Sequence, residues 1–333
     1  MHPGPLRMRG PPPIMAVRKS STAVSTTTAA RAGAAARRQP SAWRRVGIPY
    51  AHLTPALIAI ALTTIYPLGV ALSNSFRHWR VNETRTPQEF VGFQQYAKAF
   101  ADTNFYNAVW VTLIFTVISV VLSVGLGLAM ALVLNRVNWL SGLTKALLIL
   151  PFAVAPALKG YSWRFMFSPD YGVYDKMLKT LLPFTDSINW LGEPFWALMV
   201  IVLSEVWGWA PLIALMFLGG LGSISPEIRD AARVDGTNAW QEFWKISFPL
   251  LRPLILIVVF LKAVFSVKIF DQVVTITSGG PGRATESLNF FVYSQGFTFL
   301  DIGYASAVSW ILVVILGALA AGYLWLMGRQ ESK

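Results

Sequence analysis

Six long apolar runs dominate the pattern of residues along the chain. They cover residues 46–76, 103–135, 146–167, 194–220, 253–274 and 302–328. A helix needs about 20 apolar residues to cross a bilayer core that is about 30 Å thick, and each run is long enough. None of the runs alternates in the manner of barrel strands. The pattern therefore predicts an all-α polytopic membrane protein with six transmembrane helices.

Composition favours the same class. The 333 residues are 54% hydrophobic and only 13% charged, whereas about 25% of a soluble domain is charged. The net charge of +12 comes from basic residues that lie largely between the apolar runs, so we expect contact with membrane lipid and no nucleic-acid partner. The chain has no cysteine and three histidines. Disulfides, thiol nucleophiles and Cys- or His-rich metal sites are thereby excluded.

Residues 1–45 differ from the rest of the chain. They are rich in Ala, Ser, Thr, Pro and Arg and contain no acidic residue. Such a segment buries too little apolar surface to offset its ordering entropy, which predicts a disordered basic cytoplasmic tail. An Arg-rich transit peptide and a later start at Met8 or Met15 are the alternatives. The membrane domain is predicted over residues 46–328, followed by a cytoplasmic C-terminus at 329–333.

Orientation is predicted from the basic residues. With the N-terminus inside, the cytoplasmic segments hold 17 Lys and Arg residues and the outer segments hold 7. Cytoplasmic loops carry the excess of Lys and Arg in membrane proteins. The tail supplies much of this bias, so the orientation with both termini in the cytoplasm also depends on the function of the loop at residues 225–249.

The loop at residues 225–249 carries the signals of a helix–turn–helix. Ser225 is a good N-cap, and Pro226 suits the first helical turn. Gly236 can adopt the left-handed conformation that ends a helix. Asn238 and Gln241 have the spacing of a capping box that starts a second helix, which we expect to end at Pro249 and Pro253.

Aromatic residues give the second predicted helix an apolar face. Trp240, Phe243, Trp244 and Ser247 fall on one side at helical spacing. A helix of this kind suits a groove on another protein. An interfacial helix packed on lipid headgroups is the alternative.

This loop resembles a known motif. Asp230-Ala231-Ala232, then Gly236, then the segment 246–249 (Ile-Ser-Phe-Pro) match the spacing of the "EAA" loop of binding-protein-dependent ABC transporter permeases. Asp230 replaces Glu, and Phe248 replaces Leu. Residues 150–151, 163–164, 169–172, 270–271 and 278–281 are similar to the carbohydrate branch, which includes the maltose and glycerol-3-phosphate importers.

The resemblance implies a type I importer fold and a set of partners. The loop would dock into a cytoplasmic ABC ATPase dimer, which would bind ATP and Mg. A second homologous permease and an extracytoplasmic solute-binding protein would complete the importer of a sugar or polyol, in a bacterial or archaeal cytoplasmic membrane. No Lys follows a Gly in this chain, so it lacks a Walker A sequence of its own. The residues implicated in coupling are Asp230, Ala231, Ala232, Gly236, Trp240, Phe243, Ile246 and Pro249.

A candidate substrate path runs through the fourth apolar run. Glu205 lies near its middle, close to Trp207 and Trp209, and Pro211 is expected to break the helix there. A carboxylate and indole rings suit a sugar, which needs hydroxyl acceptors and a stacking face. The alternative is a structural ion pair between Glu205 and Lys262. Both interpretations stay open at this stage.

Other charges in the apolar runs receive simpler interpretations. Lys268 and Asp271 are three residues apart and are expected to form an ion pair on one helix face, although Asp271 also belongs to the candidate substrate path. Arg164 with Trp163 is interpreted as an interface anchor. Lys159 is less easily explained by snorkelling.

Two other classes of function compete with the importer subunit. An ion-coupled secondary transporter would use the charges of the apolar runs as a relay, but it has no need of a docking loop. A polytopic membrane enzyme would need an acid–base or nucleophilic set, and the sequence shows none. We therefore expect a transport subunit that is not an enzyme.

Overall fold

The computed structural model describes residues 53–135 and 142–331, which are mainly helical. Residues from Ala61 onward form one compact unit, within which the helices pack together. In chain order the helices are α1 (Leu53–Ser75), α2 (Gln94–Ala101), α3 (Thr103–Leu134), α4 (Gly142–Ala153), α5 (Pro156–Met166), α6 (Val173–Leu181), α7 (Pro194–Gly222), α8 (Pro226–Val234), α9 (Ala239–Val267), α10 (Leu288–Tyr293) and α11 (Ile302–Glu331). The predicted tail, 1–45, and the last residues of the predicted C-terminus lie outside the described ranges.

Helices long and apolar enough to cross a membrane account for all six predicted runs. Five are α1, α3, α7, α9 and α11, and the sixth is the pair α4 and α5 taken together. The predicted all-α architecture is confirmed.

The third predicted span is broken. Helices α4 and α5 meet at 84°. Proline disfavours helical geometry in the residue before it, and Ala155, which precedes Pro156, is extended with ψ 131°. The prediction of a break at Pro211 was wrong, because α7 continues through that residue. Packing on both sides holds α7 together despite the missing N–H, since Ala210 and Pro211 are buried.

The fifth predicted span is shifted toward the N-terminus. Helix α9 starts at Ala239, passes through a π-helical stretch at Phe243–Ser247 and ends at Val267 rather than at residue 274. Pro249 and Pro253 lie inside this helix. The prediction that they end the second loop helix was therefore wrong. Pro249 falls in the first turn of the regular segment, where its missing N–H leaves few helical bonds unmade.

Helix α7 lies at the centre of the bundle. More than half of its most apolar window is buried, compared with 22% for α3 and 6% for α11. Its buried side chains pack against α3 over most of its length and against α4 and α9. The polar side chains of Ser204 and Glu205 on α7 are therefore buried within the bundle.

Candidate functional site

Four buried polar side chains meet beside α7. Lys262 Nζ on α9 lies 2.9 Å from Glu205 Oε1, and Lys159 Nζ on α5 lies 3.4 Å from Oε2. Gln272 donates from Nε2 to Glu205 Oε2 at 2.8 Å. Each of the four residues is at most 6% exposed. The structure thus contains the ion pair between Glu205 and Lys262 that the sequence offered as the alternative to a substrate site.

The break in the third span positions Lys159 in this cluster. Lys159 lies in the first turn of α5, and its N–H donates to the Ala155 carbonyl oxygen at 2.9 Å. Gly160 follows, and a Cβ there would collide with the Thr275 side chain. Helix α5 can therefore approach the π-helical stretch Val273–Thr277 closely, which places Lys159 and Gln272 against the same carboxylate.

A cleft of about 290 Å³ adjoins the buried cluster. Lys159, Glu205, Trp209 and Gln272 contribute to its lining, as do the exposed Lys268 and Asp271 at its rim. The Trp209 ring also faces Lys262, whose Nζ lies 4.9 Å from the ring centroid. The cleft is wide enough to hold a small polar molecule or part of a larger one.

A second cleft of about 350 Å³ shares Lys159 with the first. Its walls include Trp163, Tyr174 and Trp207. Trp163 and Trp207 lie with their ring centroids 6.4 Å apart, and Trp163 stacks on Phe167 at 5.7 Å. Trp163 is half-buried and forms part of a cleft wall, whereas Arg164 is exposed; their role as an interface anchor stays a prediction.

The residues of the predicted substrate path are only partly brought together. Glu205, Lys262 and Trp209 are in contact, Trp207 lies on the second cleft, and Asp271 is at the rim of the first. The predicted ion pair between Lys268 and Asp271 is absent from the described part of the chain. The reason is that α9 ends at Val267, so the two residues do not share a helix face.

Sequence reasoning did not assign Lys159 or Gln272 to this site. Lys159 was recognisable as a cation that a membrane interface does not explain. Nothing in the sequence indicated Gln272, because its contact with Glu205 depends on where α9 ends and on how closely α5 packs against the segment after α9.

The loop between α7 and α9 has the local geometry that its sequence indicates. Gly236 has φ +73°, in the left-handed region, just after α8. The Asn238 side chain accepts from the Gln241 N–H at 2.9 Å, and the Gln241 side chain accepts from the Asn238 N–H at 3.1 Å, which is the predicted capping box. A hydrogen bond from Ser225 lowers the pKa of the exposed Glu227.

We refer to residues 226–247 as the docking arm. Trp240 is 70% exposed and Trp244 is 45% exposed, with their ring centroids 5.5 Å apart. Of the other residues implicated in coupling, Asp230, Ala231, Gly236 and, just beyond the arm, Pro249 are exposed, Phe243 and Ile246 are half-buried, and Ala232 is buried. Two exposed indoles side by side form a surface that water solvates poorly.

A separate ionic network connects the segment before α3 with the start of α11. Asp301 Oδ2 accepts from Lys98 Nζ at 2.8 Å and from Arg80 Nε at 3.3 Å. Burial raises the pKa of Asp301, but the hydrogen bond from Lys98, the Tyr304 backbone N–H and the two cations together outweigh it, so that the pKa lies below its usual value. This network contacts neither the clefts nor the docking arm.

Comparison with known proteins identifies the family. Residues 123–333 match the family described as binding-protein-dependent transport system inner membrane component. The chain therefore belongs to this family of multi-pass, non-catalytic permease subunits of ABC importers, which act with a binding protein and an ATPase.

Individual proteins that are similar to this chain are also components of ABC transporters or of other solute transport systems. The sulfoquinovosyl glycerol transport system permease protein of Agrobacterium fabrum is 31% identical, over 84% of this chain and 90% of that protein. The trehalose/maltose transport system permease protein of Thermococcus litoralis is 29% identical, over 85% and 94%. A crystal structure of a bacterial ABC transporter involved in the import of the acidic polysaccharide alginate shares the fold, with a TM-score of 0.74, 22% identity, and coverage of 87% of this chain and 98% of that one.

Proposed function

We propose that this chain is the permease subunit of an importer for a sugar or a related polyol, driven by ATP hydrolysis on a separate subunit. The observation that carries the proposal is the pairing of an exposed aromatic docking arm with a buried polar cleft in one helical bundle. An importer subunit needs both, because it has to bind a partner that hydrolyses ATP and to pass a polar solute.

The docking arm is proposed to contact the ATPase. Trp240, Trp244 and the exposed Asp230 form its accessible surface. Aromatic side chains of this kind often contribute most of the binding energy at the centre of an interface. The ATPase dimer would bind ATP and Mg, and closure of that dimer would move the arm. In this proposal the arm and both termini lie on the cytoplasmic side of the membrane.

The clefts are proposed to form part of the solute path. Trp209 in one and Trp163 and Trp207 in the other supply aromatic faces, and sugar rings stack on such faces through their C–H groups. The relatives that transport trehalose, maltose and sulfoquinovosyl glycerol support a glycoside as solute. A second homologous permease would complete the path.

Transport in proteoliposomes tests this proposal. The chain would be reconstituted with the ATPase, the second permease and the binding protein of its importer. We expect uptake of a radiolabelled glycoside that requires ATP and all partners. Uptake by the chain alone, driven by an ion gradient without ATP, would overturn the proposal in favour of a secondary transporter, a class that neither the family nor the relatives favour.

A further inference from the structure

The buried cluster beside α7 contains one more positive charge than negative charge. Lys159 and Lys262 share a single carboxylate, that of Glu205. Gln272 adds a neutral amide. At the rim, Lys268 and Asp271 have opposite charges and cancel each other in this sum. The cluster beside the first cleft, with the fully buried Lys262 counted, therefore carries a net charge of one positive unit when all of its groups are ionised.

The carboxylate of Glu205 is occupied within the protein. Oε1 accepts from Lys262, and Oε2 accepts from both Lys159 and Gln272. An ionised carboxylate with three donors has little capacity left for the hydroxyl groups of a solute. Glu205 thus serves to hold the two lysines and is a positioning residue rather than a ligand of the solute.

Of the two lysines, Lys159 is the one open to a solute. Lys262 is fully buried, with its ammonium between Glu205 at 2.9 Å and the face of Trp209. The ammonium of Lys159 makes one long contact, at 3.4 Å, and Lys159 lines both clefts. An ammonium group has three donors. Two of its donors have no partner in the described part of the chain and are available to a solute in the clefts that Lys159 lines.

We infer that the transported solute is an anionic glycoside or polyol, and that Lys159 binds its anionic group. The inference rests on the proposed function and names its substrate class. An uncompensated cation inside a membrane is costly to maintain, and such residues usually mark solute or ion paths. A sulfonate, phosphate or carboxylate on the solute would supply the missing charge, while Trp209 or Trp163 contacts the sugar ring.

The test uses pairs of solutes in which one member carries an anionic group that the other lacks. Sulfoquinovosyl glycerol and glucosyl glycerol differ at one sugar carbon, where a sulfonate replaces a hydroxyl group; sn-glycerol 3-phosphate and glycerol form a second pair, and a glucuronic acid disaccharide and its glucose counterpart form a third. ATP-dependent uptake of each would be measured with the complete reconstituted importer. We expect the charged member of at least one pair to be taken up about tenfold or more faster, since a hydrogen bond to a charged group contributes that much.

Variants of Lys159 connect the preference to this residue. Lys159→Gln removes the charge while Glu205 keeps Lys262 and Gln272, so the fold should persist, which thermal unfolding of the purified complex checks. We expect it to reduce uptake of the charged solute about tenfold and to leave ATPase co-purification unchanged. Lys159→Arg should restore most of the uptake. Arg164→Gln, an exposed cation on the same helix, is the matched control and should have no effect.

Other results would overturn the inference. Faster uptake of the neutral member of every pair would do so, as would equal uptake of the charged solute by wild type and Lys159→Gln, or failure to take up any of the six solutes. Hydrolysis of ATP that depends on the binding protein is recorded in the same vesicles. If hydrolysis is coupled but the charge preference is absent, only this inference fails; if uptake ignores ATP, the proposed function fails as well.

Discussion

The docking arm and the buried cluster around Glu205 differ in the range of their contacts along the chain and in the exposure of their side chains. The arm is built from a continuous stretch of chain, and its defining contacts join residues three to five apart, such as Asn238 with Gln241 and Thr237 with the Ala232 carbonyl oxygen at 2.7 Å. The cluster joins Glu205 to partners that are 46, 57 and 67 residues away. The arm exposes Trp240 and Trp244, whereas the charged groups of the cluster are buried.

From this difference we expect substitutions in the arm to change partner binding and substitutions in the cluster to change the stability of the fold. A residue exposed on the arm has few contacts to lose within its own chain, so replacing it should affect a partner. The carboxylate of Glu205 balances two buried lysines, so removing its charge should affect the fold first. Variants in each region, and outside both, test that separation.

The largest effect is expected for Glu205→Gln. The change leaves Lys159 and Lys262 buried with no carboxylate between them, and breaking a buried ion pair costs about 3–5 kcal/mol. We expect a lower unfolding temperature and less inserted protein, while the protein that does insert still binds the ATPase.

The double variant Glu205→Gln, Lys262→Met is the matched control, because it returns the cluster to the wild-type net charge. It should recover part of the lost stability. An unchanged unfolding temperature in Glu205→Gln would show that the cluster is well hydrated and contributes little to the fold.

The next effect is expected for Gly236→Val. The left-handed φ of +73° is strained for a β-branched residue by about 1–3 kcal/mol. No atom lies within 4 Å of a Cβ placed there, so the strain is in the backbone and not in packing. The turn should shift and misalign Trp240 relative to Asp230, and the ATPase should co-purify poorly with a stable, inserted permease.

Gly236→Asn provides the comparison, since asparagine tolerates the left-handed region. It should retain the ATPase at matched permease abundance. Full retention of the ATPase and of transport by Gly236→Val would mean that the docking arm is not the coupling element.

A smaller effect is expected for Asp301→Asn, in the network outside both regions. Because its partners Lys98 and Arg80 are partly exposed, the loss should be about 1 kcal/mol. The folded-state pKa of Asp301 lies below the ordinary value of 3.8. Its contribution is therefore present above pH 3.8 and is lost as the pH falls through the lower folded pKa.

Thermal unfolding of wild type and Asp301→Asn over a pH series measures this contribution. The gap between the two unfolding temperatures should narrow below pH 3.8. If the difference in unfolding temperature stays constant as the pH falls, the loss of stability in Asp301→Asn comes from altered packing or hydrogen bonding and not from the loss of the carboxylate charge.

The smallest effect is expected from removing residues 1–40. Their composition predicts no packed structure, and Arg44 and Arg45, which we propose hold the start of the first span in the cytoplasm, remain. Transport at matched membrane abundance should equal that of the full chain. Loss of uptake with normal abundance would give the tail a role in transport.

Local rules explain what could be predicted. The spans at residues 103–135, 194–220 and 302–328 match α3, α7 and α11 closely, since length and hydropathy alone decide whether a helix can cross a bilayer. The turn at Gly236 and the capping box at Asn238 were predictable for the same reason, because each depends on residues within one turn of helix.

Proline was the least reliable local signal. Pro156 follows the break in the third span, whereas Pro211 and Pro253 lie within continuous helices. A proline always removes one N–H donor, but whether the helix bends depends on the neighbours that pack around it. Those neighbours come from distant parts of the chain, so sequence position alone did not separate the three cases.

By itself, the sequence determined that this protein crosses a membrane several times and that a helical turn with exposed indoles interrupts the spans, because these properties depend on hydropathy and on local backbone preference. Only the tertiary structure decided which charges meet. Lys159 reaches Glu205 because α5 bends away from α4 and packs closely where Gly160 lacks a side chain, and Gln272 reaches it because α9 ends early. The electrostatic energy of a buried charge depends on distances between helices, and no spacing along the chain encodes those distances.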